Sequence, residues 1–158
     1  ILAADRTLVR FDLKKEPRAE ILASTYYAEP NTLATASGAT HIRMISKAFP
    51  WSVDISSRTP ITCEAIWDAL YKALQEEIKD SEWGLIVGDA KQRKVVEKAA
   101  KMRLEGNTQD KRLGLKRVDY LGDTTFFKGL SKDEEFERLR LLPSEKSVPE
   151  TWVVKLGA

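Results

Sequence analysis

Residues 114–130 read GLKRVDYLGDTTFFKGL, and the fold class turns on the path the chain takes through them. Gly122 and Asp123 carry the signature of a type II′ turn, in which glycine takes the positive φ at the first of two central positions. Residues 115–121 and 124–127 then flank the turn as paired strands, with Leu121 facing Thr124, Asp119 facing Phe126 and Arg117 facing Lys128. On that register Arg117, Asp119 and Lys128 form a charge cluster on one sheet face. The two cations repel across the ladder and the carboxylate relieves both, so the expected role of the cluster is to fix hairpin register.

Reading outward, RTLVRFDL (6–13) alternates Val9, Phe11 and Leu13 with polar neighbours, as an edge or peripheral strand does, and 28–40 is a loop rich in Thr, Ser, Pro and Gly. HIRMIS (41–46) and WSVDIS (51–56) form a hairpin with Pro50 at its turn end, where the missing N–H costs little. After Pro60 the period lengthens. Thr62 is the N-cap of a helix whose apolar face is Ile66, Trp67, Leu70, Tyr71 and Leu74.

A second helix covers 89–104, with Asp89 and Gln92 at capping-box spacing, and Val95, Val96, Ala99, Ala100 and Met102 as its stripe. Gly106 and Asn107 end it. SKDEEFERLRLL (131–142) is a third, opened by Ser131 with Glu134 and stopped by Pro143, and TWVVKL (151–156) is a closing strand. The sum is an α+β fold, a mostly antiparallel sheet with two to three helices packed on one face, in a single domain over 1–158.

With 158 residues, 42% hydrophobic and 32% charged, the chain can bury ~70% of its unfolded surface and needs no covalent staple. A single cysteine, Cys63, excludes an intrachain disulfide. With one histidine, His41, it also falls short of a tetrahedral Cys/His zinc set. No apolar run approaches the ~20 residues of a membrane-spanning helix. An intracellular address and no cofactor are the expectations.

Charge is distributed unevenly. From Lys91 to Arg117 ten Lys and Arg stand against three acids, whereas from Glu64 to Glu82 two Lys stand against six acids. Such segments attract each other within a fold or attract partners outside it. Lys91, Arg93, Lys94, Lys98, Lys101 and Arg103, continued by Lys111, Arg112, Lys116 and Arg117, suit phosphate contacts, although stacking aromatics are missing until Tyr120. Glu76, Glu77, Asp80 and Glu82 read as a solvated helix end.

Cys63 at a helix start, with His41 as base, is the candidate for nucleophilic chemistry, and a small packing residue is the alternative. WGLIVGDAKQR (83–93) and FKGLSKDEE (127–135) lack the spacing of a phosphate-binding loop. Of the four tryptophans, Trp67 and Trp152 suit the core, and Trp83, in DSEWGL, suits a contact surface.

The order FPWSVDIS, PITCEAIWDALYKALQEEIKDSEW, GLKRVDYLGDTTFFKGL, TWVVKL resembles a family of domains of unknown function abundant in mushroom-forming and related basidiomycete fungi. It covers roughly 38–156 and leaves 1–37 as an extension. Its most specific part is matched by Gly114, Leu115, Lys116, Arg117, Val118, Asp119, Tyr120, Leu121, Gly129 and Leu130. The resemblance implies a fungal origin and carries no active-site assignment.

The expected function is a non-catalytic interaction or scaffold domain with an unidentified protein partner, contacted through Trp83, Lys91, Arg93, Lys94, Lys98 and Lys101. Nucleic-acid binding through 91–117 is the first alternative. A hydrolase or transferase using Cys63 or a carboxylate cleft is the second. Strand order and oligomeric state are left open.

Overall fold

Thr62 switches the chain from extended to helical backbone. It sits at φ −94° and ψ 165°, and its Oγ1 accepts the Ala65 N–H at 3.3 Å, satisfying one of the free donors of a helix start. The helix it opens buries Ile66, Trp67, Leu70 and Leu74 along one face, as the 3.6-residue period demands.

The computed structural model describes residues 11–21, 32–106 and 114–158. In chain order these contain α1 (Pro17–Glu20), β1 (His41–Ile45), β2 (Val53–Ser56), α2 (Cys63–Gln75), α3 (Asp80–Ile86), α4 (Ala90–Gly106), a 3-10 turn (Arg117–Leu121), β3 (Phe126–Ser131), α5 (Glu134–Arg140) and β4 (Thr151–Gly157).

The sheet order is β2-β1-β4-β3. The α+β class holds, and the sheet is mixed: β1–β2 and β3–β4 are antiparallel, whereas the central pair β1–β4 is parallel, with Arg43 beside Thr151 and Ile45 beside Val153. At the far edge Phe11 and Leu13 exchange backbone hydrogen bonds with Phe127 and Thr125, extending the sheet beyond β3. Residues 6–10 of that expected strand, 28–31 of the expected loop, Asn107 of the expected helix end, and Lys111 and Arg112 of the expected basic segment lie outside the described residues.

Helices cover both faces, not one. Ile42, Met44, Phe127 and Val154 join Trp67 and Leu70 of α2 in the main core. Because strand neighbours alternate in direction, Arg43 and Ile45 point the other way, where they line a cavity with Thr151 and residues of α5. α5 also starts later than expected: Ser131 ends β3, and Asp133 is the N-cap, its Oδ1 accepting the Phe136 N–H. α3 was not expected at all, since 76–82 reads as the solvated end of α2.

The largest correction concerns 115–121. Gly122, at φ 57° and ψ −115°, does form the type II′ turn, closed by Thr124 N–H to the Leu121 carbonyl at 2.9 Å. What precedes it is a 3-10 turn rather than a strand. Val118 and Leu121 are buried together, a spacing of three that places both on one side, and alternation at period two does not fit them.

An alanine Cβ at Gly122 would lie 2.7 Å from Val95 Cγ1 on α4, in a backbone conformation that L side chains rarely adopt. Gly122→Ala is therefore expected to lower unfolding free energy by more than about 1 kcal/mol in urea titration. An unchanged midpoint would refute the strain.

Candidate functional site

The buried carboxylate of Asp119, 3% exposed, organises the region. Its Oδ1 accepts from Arg103 Nε at 2.9 Å, and its Oδ2 accepts from Arg103 Nη2 and the Lys116 N–H, both at 2.8 Å. Arg103 Nη2 also donates to the Gly114 carbonyl at 2.9 Å. This side-on, two-bond pairing is the strong form of an arginine–carboxylate contact. The expected cluster is thus rearranged. Asp119 pairs with Arg103 of α4, while Arg117 bonds elsewhere and Lys128 lies over the Phe126 ring at 5.9 Å. A 3-10 turn sends neighbouring side chains in different directions, so the spacing of two no longer places Arg117 beside Asp119.

Arg117 joins the acidic segment to the basic one, Nη1 to Glu76 Oε2 and Nη2 to Glu82 Oε1, both at 2.7 Å. Its guanidinium also stacks over the Trp51 ring, 5.1 Å from the centroid. Glu76 and Glu82 are accordingly structural partners rather than a solvated helix end. Burial alone would raise the Glu82 carboxyl, but Arg117, the Lys79 N–H and the Trp51 indole hold it below its ordinary value.

Trp51 is fixed on its other sides by Tyr120, edge-on at 5.3 Å, and by Phe49, stacked at 6.4 Å. Together Trp51 and Tyr120 floor a groove of about 410 Å³, walled by Leu85 and Ile86 of α3 and by Asp89 and Gln92 at the start of α4. Gln92 reaches the Tyr120 carbonyl at 2.8 Å instead of closing a capping box, and Asp89 alone caps α4, its Oδ1 accepting the Lys91 and Gln92 N–H groups. The Tyr120 hydroxyl is pushed up by burial and by the nearby Asp89 charge. Leu85 is 84% exposed on the wall. The lining holds two carboxylates, Glu82 and Asp89, and no cation.

None of the sequence-selected contact residues lines this groove. Trp83 is half-buried on α3, and Lys91, Lys94, Lys98 and Lys101 project from α4 into solvent. Arg93 is half-buried, 3.9 Å from Glu97. Trp67 is fully buried and Trp152 half-buried against the core. The groove residues Trp51, Leu85 and Tyr120 were missed as a set; the alternation that marks Trp51 as a strand residue gives no sign of what packs on it.

Cys63 is buried in the first turn of α2 with its thiol toward the Leu33 carbonyl, while His41 is exposed at the start of β1. Among the described residues no group of three or more metal-ligating side chains gathers, and no helix is long and apolar enough to cross a membrane.

The model of a family of unknown function, DUF6699, matches residues 9–137, a span that contains 114–130. The chain belongs to the DUF6699 family. The DUF6699 match takes in Phe11, Leu13 and Ile21 of the core, ahead of Gly38 where the sequence resemblance starts, and stops within α5, before β4. Neither the curated proteins nor the solved structures provide a match.

Arg103→Met, which strands the Asp119 carboxylate, is expected to cost about 3–5 kcal/mol in chemical denaturation, and adding Asp119→Leu should restore part of that loss. Additive single-mutant losses would exclude the pair as a coupled unit. Because the Glu82 carboxyl is depressed, its contribution is present above pH 4.5, the ordinary value, and is lost as pH falls through the lower folded value. Glu82→Gln should then lower stability at neutral pH and flatten the acid side of the pH–stability curve.

Proposed function

We propose that this DUF6699 domain is a non-catalytic interaction module. Its occupant is a peptide segment of a partner protein, presenting an apolar or aromatic side chain beside a lysine or arginine. The observation that carries the reading is the exposed Leu85 standing over the Trp51–Tyr120 floor, an apolar surface left open in a groove of about 410 Å³. Arg117 holds Glu82, but Asp89 has no ion-pair partner among the described residues, and with no cation in the lining it favours a basic neighbour over an acidic one. Arg117, Tyr120 and Phe49 hold Trp51 in place, so binding does not have to order it, and preorganisation of that kind conserves affinity.

Peptide display against the folded domain tests the reading. It should enrich apolar or aromatic residues adjacent to Lys or Arg, and the binders should lose at least about tenfold in affinity to a Leu85→Glu variant that melts normally. Failure to enrich, or binders indifferent to Leu85→Glu, would overturn it.

A second reading is favoured by the exposure of Lys91, Lys94, Lys98 and Lys101, whose spacing of three, four and three aligns them along one side of α4. Arg103 and Arg117 do not contribute, since Asp119, Glu76 and Glu82 hold them. Nucleic-acid contact through the lysines predicts affinity for duplex or single-stranded DNA that falls with added salt and with Lys94→Glu. No binding at low salt removes this reading.

A further inference from the structure

Trp51 and Tyr120 meet on the groove floor with their planes 74° apart, so two aromatic walls form a corner. Pro50, Leu85 and Ile86 add apolar surface to the same lining, and Asp89 adds a carboxylate. We infer that this corner receives the quaternary ammonium of a trimethylated lysine in the partner peptide. The inference rests on the peptide reading above and narrows its basic residue to one chemical form.

The charge around the groove selects a cation. Glu82 and Asp89 are the charged groups of the lining, and Arg117, which bonds to Glu82, is shared with Glu76. Three carboxylates against one guanidinium leave an excess of two negative charges. The aromatic walls act in the same direction, because a ring quadrupole attracts positive charge, and Trp51 already does so for Arg117 at 5.1 Å. The Asp89 charge is near enough to help burial push up the Tyr120 hydroxyl, so carboxylate and ring bear on one occupant.

Hydrogen-bonding capacity selects the form of that cation. Glu82 Oε1 accepts from Arg117 and Oε2 from the Lys79 N–H, while Asp89 Oδ1 accepts from the Lys91 and Gln92 N–H groups. Asp89 Oδ2 is the carboxylate oxygen left over. A primary ammonium brings three N–H donors and a tightly held water shell, and a guanidinium brings five donors. Either would give up water for a single charged acceptor. Methyl groups in place of the donors remove that cost: the charge is kept, and its surface becomes apolar enough to pack on Trp51, Tyr120 and Leu85.

The test is a titration of the isotopically labelled domain with the blocked tripeptide Ala-Lys-Ala, its lysine unmodified in one arm and trimethylated in the other. The Trp51 indole and the backbone amides of Leu85 and Gln92 report binding. The trimethylated peptide should shift these signals saturably and bind about tenfold more tightly than the unmodified one. Choline should shift the same signals, and 3,3-dimethylbutan-1-ol, its uncharged counterpart, should bind about tenfold more weakly than choline. Asp89→Asn removes the charge but keeps an N-cap side chain, so it should weaken the trimethylated peptide severalfold with the melting temperature held. Equal affinity for the two peptides, equal affinity for choline and the alcohol, or wild-type affinity in Asp89→Asn overturns the inference. A choline response that the trimethylated peptide does not reproduce also overturns it. If display-selected peptides still depend on Leu85 in any of these events, the interaction module stands and the methyl-lysine assignment alone falls.

Discussion

The pairing of Arg103 with Asp119 sets the geometry of everything between α4 and β3. A carboxylate this deeply buried is tolerable only when its lone pairs are filled and an opposite charge is at hand, and Arg103 with the Lys116 N–H meets both conditions. To present Asp119 to α4, the chain must wind into the 3-10 turn. The winding carries Arg117 toward Glu76 and Glu82, sets Tyr120 against Trp51, and leaves the chain to reverse at Gly122 into β3. One buried ion pair thereby positions the groove floor, although neither of its residues lines the groove.

Elements whose evidence is local were legible. The β1–β2 hairpin, α2 with its Thr62 cap and α4 with its Asp89 cap each rest on a hydrophobic period or a cap within a few residues. The GLKRVDYLGD stretch was half legible. Gly122 revealed the turn, but a five-residue segment fits period two and period three almost equally, and the partner that decides between them is 16 positions away on α4. The groove was hidden for a similar reason: Trp51 becomes a floor only because Arg117 and Tyr120 arrive from the far end of the domain. α3 escaped because seven residues beginning among acids carry too short an apolar pattern to separate from the helix before them. Glu76 and Glu82 look solvated in sequence because the arginine that holds them, Arg117, lies 41 and 35 positions away.

The connection between β1 and β2 is gripped from both sides of the molecule. Arg140 gathers four of its carbonyls on the reverse face, and Arg117 lies against the Trp51 ring on the groove side. Backbone carbonyls in a turn of this kind must find donors, and a single guanidinium supplies several with fixed geometry. There is a comparable economy in β3: Gly129, at φ 107°, sits where the β3–β4 register shifts between Phe127 and Leu130, so the glycine permits the irregularity and Leu130 returns to the core.

The sheet order also dictates when the domain can become a domain. β4 lies between β1 and β3, touching both, and among the described residues no other strand joins the two halves of the sheet. Until residues 151–157 leave the ribosome, β1–β2 and β3 are two separate fragments with exposed backbone edges, however well α2 and α4 have formed. The parallel contact of β1 with β4 closes a loop of more than a hundred residues, the kind of pairing that slows folding. The nascent chain is therefore most exposed to misassociation in the interval just before its central strand is delivered.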